Sequence, residues 1–147
     1  MNKNKNKKKE LLDNLKHDIY CRLGASKIHG VGVIAVKDIP KNTNPFHITG
    51  HKCIIYNAIN ISKEEVSKLD TQVQKLIHDF IAPNEDGSYS LPETGLNNLN
   101  ISFYLNESKE PNLEIIDTDC EFVEFITSRP IKAGEELTID YTSLSHP

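Results

Sequence analysis

The sequence has no tryptophan, one methionine and no apolar run near the roughly 18 residues a membrane-spanning helix needs, so no membrane contact is expected. Cysteine is scarce as well. Cys21, Cys53 and Cys120 are odd in number, widely spaced and never arranged as Cys-x-x-Cys. That excludes a zinc knuckle and a disulfide scaffold, and reduced thiols in an intracellular setting are the default. Cytoplasm and nucleus are not distinguished. A secretory leader is not expected either, because Glu10-Leu11-Leu12-Asp13-Asn14-Leu15-Lys16 follows the basic N-terminus with no apolar h-region or cleavage signal.

Charge is unevenly spread along the chain. Residues 1 to 9 hold five lysines and no acid, and without them the body carries 12 basic against 21 acidic residues, a formal −9. Low complexity and self-repulsion predict that residues 1 to 9 are disordered, with residues 10 to 147 forming one domain. Leu11, Leu12, Leu15 and Ile19 fall at helical spacing, so a short amphipathic helix or turn is expected to lead in. An acidic body argues against nucleic acid, which needs a basic face on the domain itself. It suits a cationic partner drawn in by long-range fields.

Along the body, many short strands alternate with long connections. Strands are expected at Ile19–Leu23, Val31–Val36, on either side of Gly50, and at Tyr89–Pro92, Leu113–Ile116, Cys120–Ile126 and Glu136–Tyr141. Gly32 lies inside a β-branched run, which signals a bulge or something pressed close to the backbone. One helix is predicted over Ser62–Phe80. Ser62 and Glu65 form a capping box, and Ile61 and Val66 a hydrophobic staple. Val66, Leu69, Val73, Leu76, Ile77 and Phe80 make one apolar face. His47 and His51 near Cys53 are a poor metal set, since Pro45 and Gly50 oppose the helix that would align them. No metal site is assigned.

Three pieces carry the chemistry by their order and separation. They are Ser26-x-x-His29-Gly30-x-Gly32-Val33-x-Ala35, then Tyr104-Leu105-Asn106-x-Ser108-x-x-Pro111-Asn112, then Ile131-Lys132-Ala133-Gly134-Glu135-Glu136-Leu137-Thr138-Ile139-Asp140-Tyr141. Singly, the glycines read as bulges, Asn106 as a turn residue and Tyr141 as a strand-end aromatic. Together they resemble the SET-domain protein-lysine methyltransferases over residues 19–141, in the compact form of viral and bacterial members, without cysteine-rich flanks.

The resemblance implies a mainly β fold (β-clip/SET): small curved sheets, one longer helix and a knot-like C-terminal crossing. It also implies S-adenosyl-L-methionine as methyl donor and a lysine of a basic protein or peptide, such as a histone tail, as acceptor. Tyr141 would be the catalytic residue. His29, Gly30, Val31, Gly32, Tyr104, Asn106 and Glu107 would bind the cofactor.

Bare backbone at Gly30 and Gly32 lets main-chain groups approach a folded ligand, and Asn106 offers a donor and an acceptor at once. An acceptor lysine must be neutral, against a reference pKa near about 10.4. An apolar channel beside a sulfonium favours that form, with no dedicated base.

The chain departs from the family pattern in several places. Glu107 stands where the family usually has histidine, adding a charge and losing a ring beside the cofactor. Phe103 stands where an arginine is common, and Asn42 where a turn glycine is common. Without a zinc-bound tail, closure of the peptide channel falls to the short C-terminal segment, a loop or a second subunit, so a homodimer is one expected arrangement. The rival readings are a catalytically silent module that binds a peptide or protein partner and, last, a nucleic-acid-binding β domain using the lysine-rich arm.

Overall fold

The structure, a computed structural model, describes residues 2–48, 57–119 and 122–144. His51, Cys53, Cys120 and the expected strand before Ala58 lie wholly or partly outside these residues. Among the described residues, eight short strands and three α-helices form a mainly β fold of small sheets.

The central sheet has strand order β1-β2-β8-β5. Strands β1 (Cys21–Ala25) and β2 (Val31–Ala35) form an antiparallel hairpin, with Cys21 opposite Ala35 and Ala25 opposite Val31. Strand β8 (Glu136–Ile139) pairs antiparallel with β2 on one edge and parallel with β5 (Asn106–Glu107) on the other. Where β5 runs out, a side chain continues the ladder. Buried Asn112 accepts from Thr138 N–H through Oδ1 (2.8 Å) and donates through Nδ2 to the Glu136 carbonyl (2.9 Å). A carboxamide is a peptide group in miniature, so it satisfies a buried strand edge as a neighbouring strand would. The Asn106–Asn112 segment is thereby laced along the C-terminal strand, the crossing that the resemblance implies.

Two further two-stranded antiparallel sheets are present, β3 (Ala58–Ile61) with β4 (Tyr89–Pro92), and β6 (Leu113–Ile116) with β7 (Glu124–Thr127). The larger core gathers Val33, Ala35, Ile39, Phe46, Leu105, Leu113, Phe125, Ile131, Leu137 and Ile139. A smaller core of Val66, Ile77, Ile81, Tyr89 and Leu91 lies under the helices.

The predicted Ser62–Phe80 helix is two helices, α2 (Lys63–Ser67) and α3 (Thr71–Phe80). The Ser62–Glu65 capping box forms as expected. The chain then breaks because Asp70 caps a second start, its carboxylate accepting from Gln72 N–H (2.8 Å). The break resets the helical phase, so the expected apolar face splits. Val66 and Ile77 are buried, whereas Leu69, Val73 and Leu76 are exposed.

The lysine-rich arm is also corrected. Residues 2–17 form a helix, α1 (Asn2–His17), that buries no side chain. Lysine is a good helix former, and Lys16 and His17 in the last turn suit the helix dipole. Asn42, flagged as a turn-glycine replacement, has φ of 62°. Asparagine is among the few L-residues that visit this left-handed region readily.

Candidate active site

Loop 26–31 is drawn shut at its ends. Ser26 N–H donates to the Gly30 carbonyl (2.8 Å), and Ser26 Oγ accepts from the amides of Ile28 and His29 (2.9 and 3.1 Å). Gly30 has φ of 53°, so its lack of a side chain serves the turn; a Cβ there would meet nothing within 4 Å. The loop lies against Asn106, which is buried at the start of β5. Asn106 Nδ2 is surrounded by acceptors: Ser26 Oγ, the carbonyls of His29 and Val31 (each 3.1 Å) and Glu136 Oε1 (2.8 Å). Two N–H groups are shared among four oxygens, which fixes the amide's orientation. Among the described residues, Asn106 Oδ1 has no hydrogen-bond partner.

These residues face a cleft of about 560 Å³ lined in part by His29, Gly30, Val31, Tyr104, Asn106, Glu107 and Tyr141. Seven of the eight site residues expected from the sequence therefore meet there. The exception is Gly32, which is buried away from the cleft. A Cβ at Gly32 would lie 2.2 Å from Glu136 Oε1, so the group pressed against this glycine is the Glu136 carboxylate rather than a cofactor. The sequence hinted at a close approach but could not name what approached. Glu136, Ser26 and Asp79 were given no role from the sequence, and the structure places all three at or behind the site.

Tyr141 begins a 3-10 turn (Tyr141–Leu144) directly after β8 and Asp140. Its hydroxyl donates to the Leu105 carbonyl (2.8 Å). Partial burial, and then the nearby Glu107 charge, push its phenol above the usual tyrosine range. The hydroxyl therefore stays protonated at neutral pH and is a donor, not a base. Beyond it lies an apolar pocket of about 130 Å³ that includes Phe122, Val123, Phe125 and Leu144. It shares Asp79, Phe80, Phe103, Leu105 and Tyr141 with the cleft. The two cavities thus abut at the tyrosine, with Asp79 as the one carboxylate common to both linings.

The arrangement fits S-adenosylmethionine on two counts. The cleft has the volume of an ordinary cofactor site. Asn106, which lines it beside Glu107, keeps an acceptor oxygen without a hydrogen-bond partner among the described residues, the kind of group an ammonium needs.

Comparisons with known proteins bear on the family. The family model for the SET domain matches residues 30–142. Human histone-lysine N-methyltransferase 2D is 32% identical over 129 residues, 86% of this chain. Histone-lysine N-methyltransferase Su(var)3-9 of Drosophila pseudoobscura pseudoobscura is 37% identical over 65 residues, 40% of the chain. The chain spans only 2% and 10% of the lengths of those two proteins. A solved Plasmodium falciparum protein, provisionally described as a histone methyltransferase, shares the fold with a TM-score of 0.52 at 20% identity, over 84% of this chain and 93% of that one. With a family match that runs from the Gly30 turn to the residue after Tyr141, the chain belongs to the SET-domain family.

Proposed function

We propose that this chain transfers a methyl group from S-adenosylmethionine to a lysine side chain of a basic protein or peptide, with histone tails as the first candidates. The observation that carries this reading is the pair of abutting cavities. Gly30, Asn106 and Tyr141 line one cleft, and Tyr141 with Leu105 also lines the apolar pocket next to it. An intracellular setting goes with such an acceptor. Histone-lysine methyltransferases among the relatives support the substrate class.

When bound, S-adenosylmethionine supplies a methyl group on a positively charged sulfur. Loop 26–31, Tyr104 and Asn106 would hold it, Asn106 through its free Oδ1. The pocket of Phe103, Phe122, Phe125 and Tyr141 suits the alkyl stem of a lysine and strips water from its amine. Desolvation favours the neutral amine, the form that can attack. The methyl group would pass from sulfur to the lysine nitrogen, with S-adenosylhomocysteine as the leaving product and the amine's proton released to solvent. Tyr141 spends its proton on the Leu105 carbonyl, so its oxygen lone pairs remain to orient the amine. Aligning the reacting atoms is where most of the rate comes from. Asp79, at the shared rim, offers a negative charge to an arriving cation.

A second reading is favoured by Glu107, which places a carboxylate on the cleft where the family usually has histidine. In it the domain is silent and binds a peptide or protein partner. Calorimetry with S-adenosylhomocysteine, paired with a labelled-methyl assay on core histones, separates the two. Binding plus a labelled protein is expected. Absence of cofactor binding turns the decision to the silent module.

A further inference from the structure

Loop 26–31 and Asn106 are far apart in sequence, and one carboxylate ties them together. Ser26 Oγ donates to Glu136, sitting 2.7 Å from Oε1 and 2.9 Å from Oε2 across 110 positions of sequence. Asn106 Nδ2 donates to the same Oε1 at 2.8 Å. Hydrogen bonds to an ionised acceptor are about twice as strong as neutral ones, so these two outrank the carbonyl contacts around them. Among the described residues, no salt bridge competes for this carboxylate. Glu136 does not line the cleft; it lies behind Asn106, on an adjoining groove with Arg22, Lys27 and Arg129.

We propose that Glu136 is a positioning residue for the methyl donor. It draws the Asn106 N–H groups inward and the Ser26 end of the loop onto the sheet. The amide's Oδ1 is then the polar atom turned to the cleft, and loop 26–31 forms a fixed wall. Gly32 completes the device by leaving room for the carboxylate, since any side chain there would overlap Oε1. Donor affinity then depends on a residue that touches no donor atom. The proposal rests on the cofactor reading above.

The test is calorimetry with S-adenosylhomocysteine on the full chain, alongside the ligand-free thermal midpoint and the affinity for a basic acceptor peptide. Glu136→Gln keeps the shape and removes the charge. It should weaken S-adenosylhomocysteine binding about ten-fold, roughly 1.4 kcal/mol, while the other two readouts stay near wild type. A purely structural role would move all three together and would overturn the proposal, as would unchanged affinity.

Should Glu136→Gln fail to fold, a second pair decides. Gly32→Ala should lose affinity by displacing the carboxylate. Adding Glu136→Asp, one methylene shorter, should recover part of it. Normal binding by Gly32→Ala, or no recovery in the double variant, rejects the idea. A wild-type chain that binds no S-adenosylhomocysteine removes the cofactor reading and this proposal with it. That result is distinct from a wild type that binds while its Glu136→Gln variant binds equally well.

Discussion

The two hydrophobic cores are built differently. The larger one is organised by strands β2 and β8 and by buried polar side chains that act as extra backbone, Asn112 above all. The smaller one is a helix pair packed with the β3–β4 strand pair, and three of its expected apolar positions, Leu69, Val73 and Leu76, face outward. The candidate active site lies where they meet. Tyr141, Asn106 and loop 26–31 come from the larger lobe, and Asp79 and Phe80 from α3. This division suggests that the strand lobe holds the chemistry rigid while the helical lobe shapes what reaches it.

Core deletions give the strongest way to break that comparison. Leu137 is fully buried in β8, between the strands that carry the site. Leu137→Ala should cost about 2–5 kcal/mol and take ligand binding with it. Ile77 is equally buried, but on a short helix that can settle onto the β3–β4 strand pair. Ile77→Ala should fall near the lower end, at about 2 kcal/mol. Urea unfolding of both variants measures the difference, and equal losses with equal effects on binding would show one undivided core.

Tyr141→Phe comes next. It leaves the Leu105 carbonyl without its donor and removes the oxygen at the boundary of the two cavities. Methyl transfer should fall ten-fold or more, at least about 1.4 kcal/mol in the barrier. S-adenosylhomocysteine affinity, measured by calorimetry, should change far less, because a single net hydrogen bond is worth only about 0.5–1.5 kcal/mol.

How much of this was legible in the sequence follows from the range of each interaction. The Ser62–Glu65 box, the β4 and β6 strands and the Asp86–Gly87 turn are set within a few residues, and each lies where the sequence places it. The break at Asp70 was missed because a good N-cap inside an apolar pattern is ambiguous until the fold decides which face is covered. The helical spacing of Leu11, Leu12 and Leu15 is legible, but the extension of α1 back to Asn2 is not, because charge and composition argue for disorder over residues 1–9 while intrinsic propensity, the weaker signal, points the other way. Gly32 shows the sharpest limit. Its strand context announced a close neighbour, but that neighbour, Glu136, arrives only when β8 pairs with β2. No local pattern carries that information. Gly30, Asn106 and Tyr141 were legible through the order of three family motifs, a long-range signal that local periodicity lacks.

Smaller effects belong to the helical lobe. Asp79 pairs with Lys75 (2.6 Å), one turn back on α3, and both side chains are largely exposed. Exposed ion pairs are worth about 0–1 kcal/mol. Asp79→Asn should therefore raise the KM of a basic peptide by no more than about five-fold, and less in high salt, which screens such charges. Lys75→Ala should act in the opposite direction by freeing the carboxylate for the substrate. Parallel changes in steady-state kinetics for the two variants would mean that α3 contributes packing alone.

The smallest effect probes the strand lobe's own charge. Burial is the main cause of the raised Tyr141 phenol, and Glu107 adds to it. A raised value means that the fold prefers the neutral phenol. The associated stability is complete below the unfolded tyrosine value, and it is lost as pH climbs through the folded one. Glu107→Gln should bring the titration down towards the ordinary range without reaching it, because burial remains. Phenolate absorbance, read as the difference between each protein and its Tyr141→Phe counterpart, isolates this one tyrosine from the other four. No movement in Glu107→Gln would mean that the carboxylate is screened from the hydroxyl. Glu107 would then bear on the bound cofactor alone, and its replacement of the family histidine would leave the tyrosine's proton undisturbed.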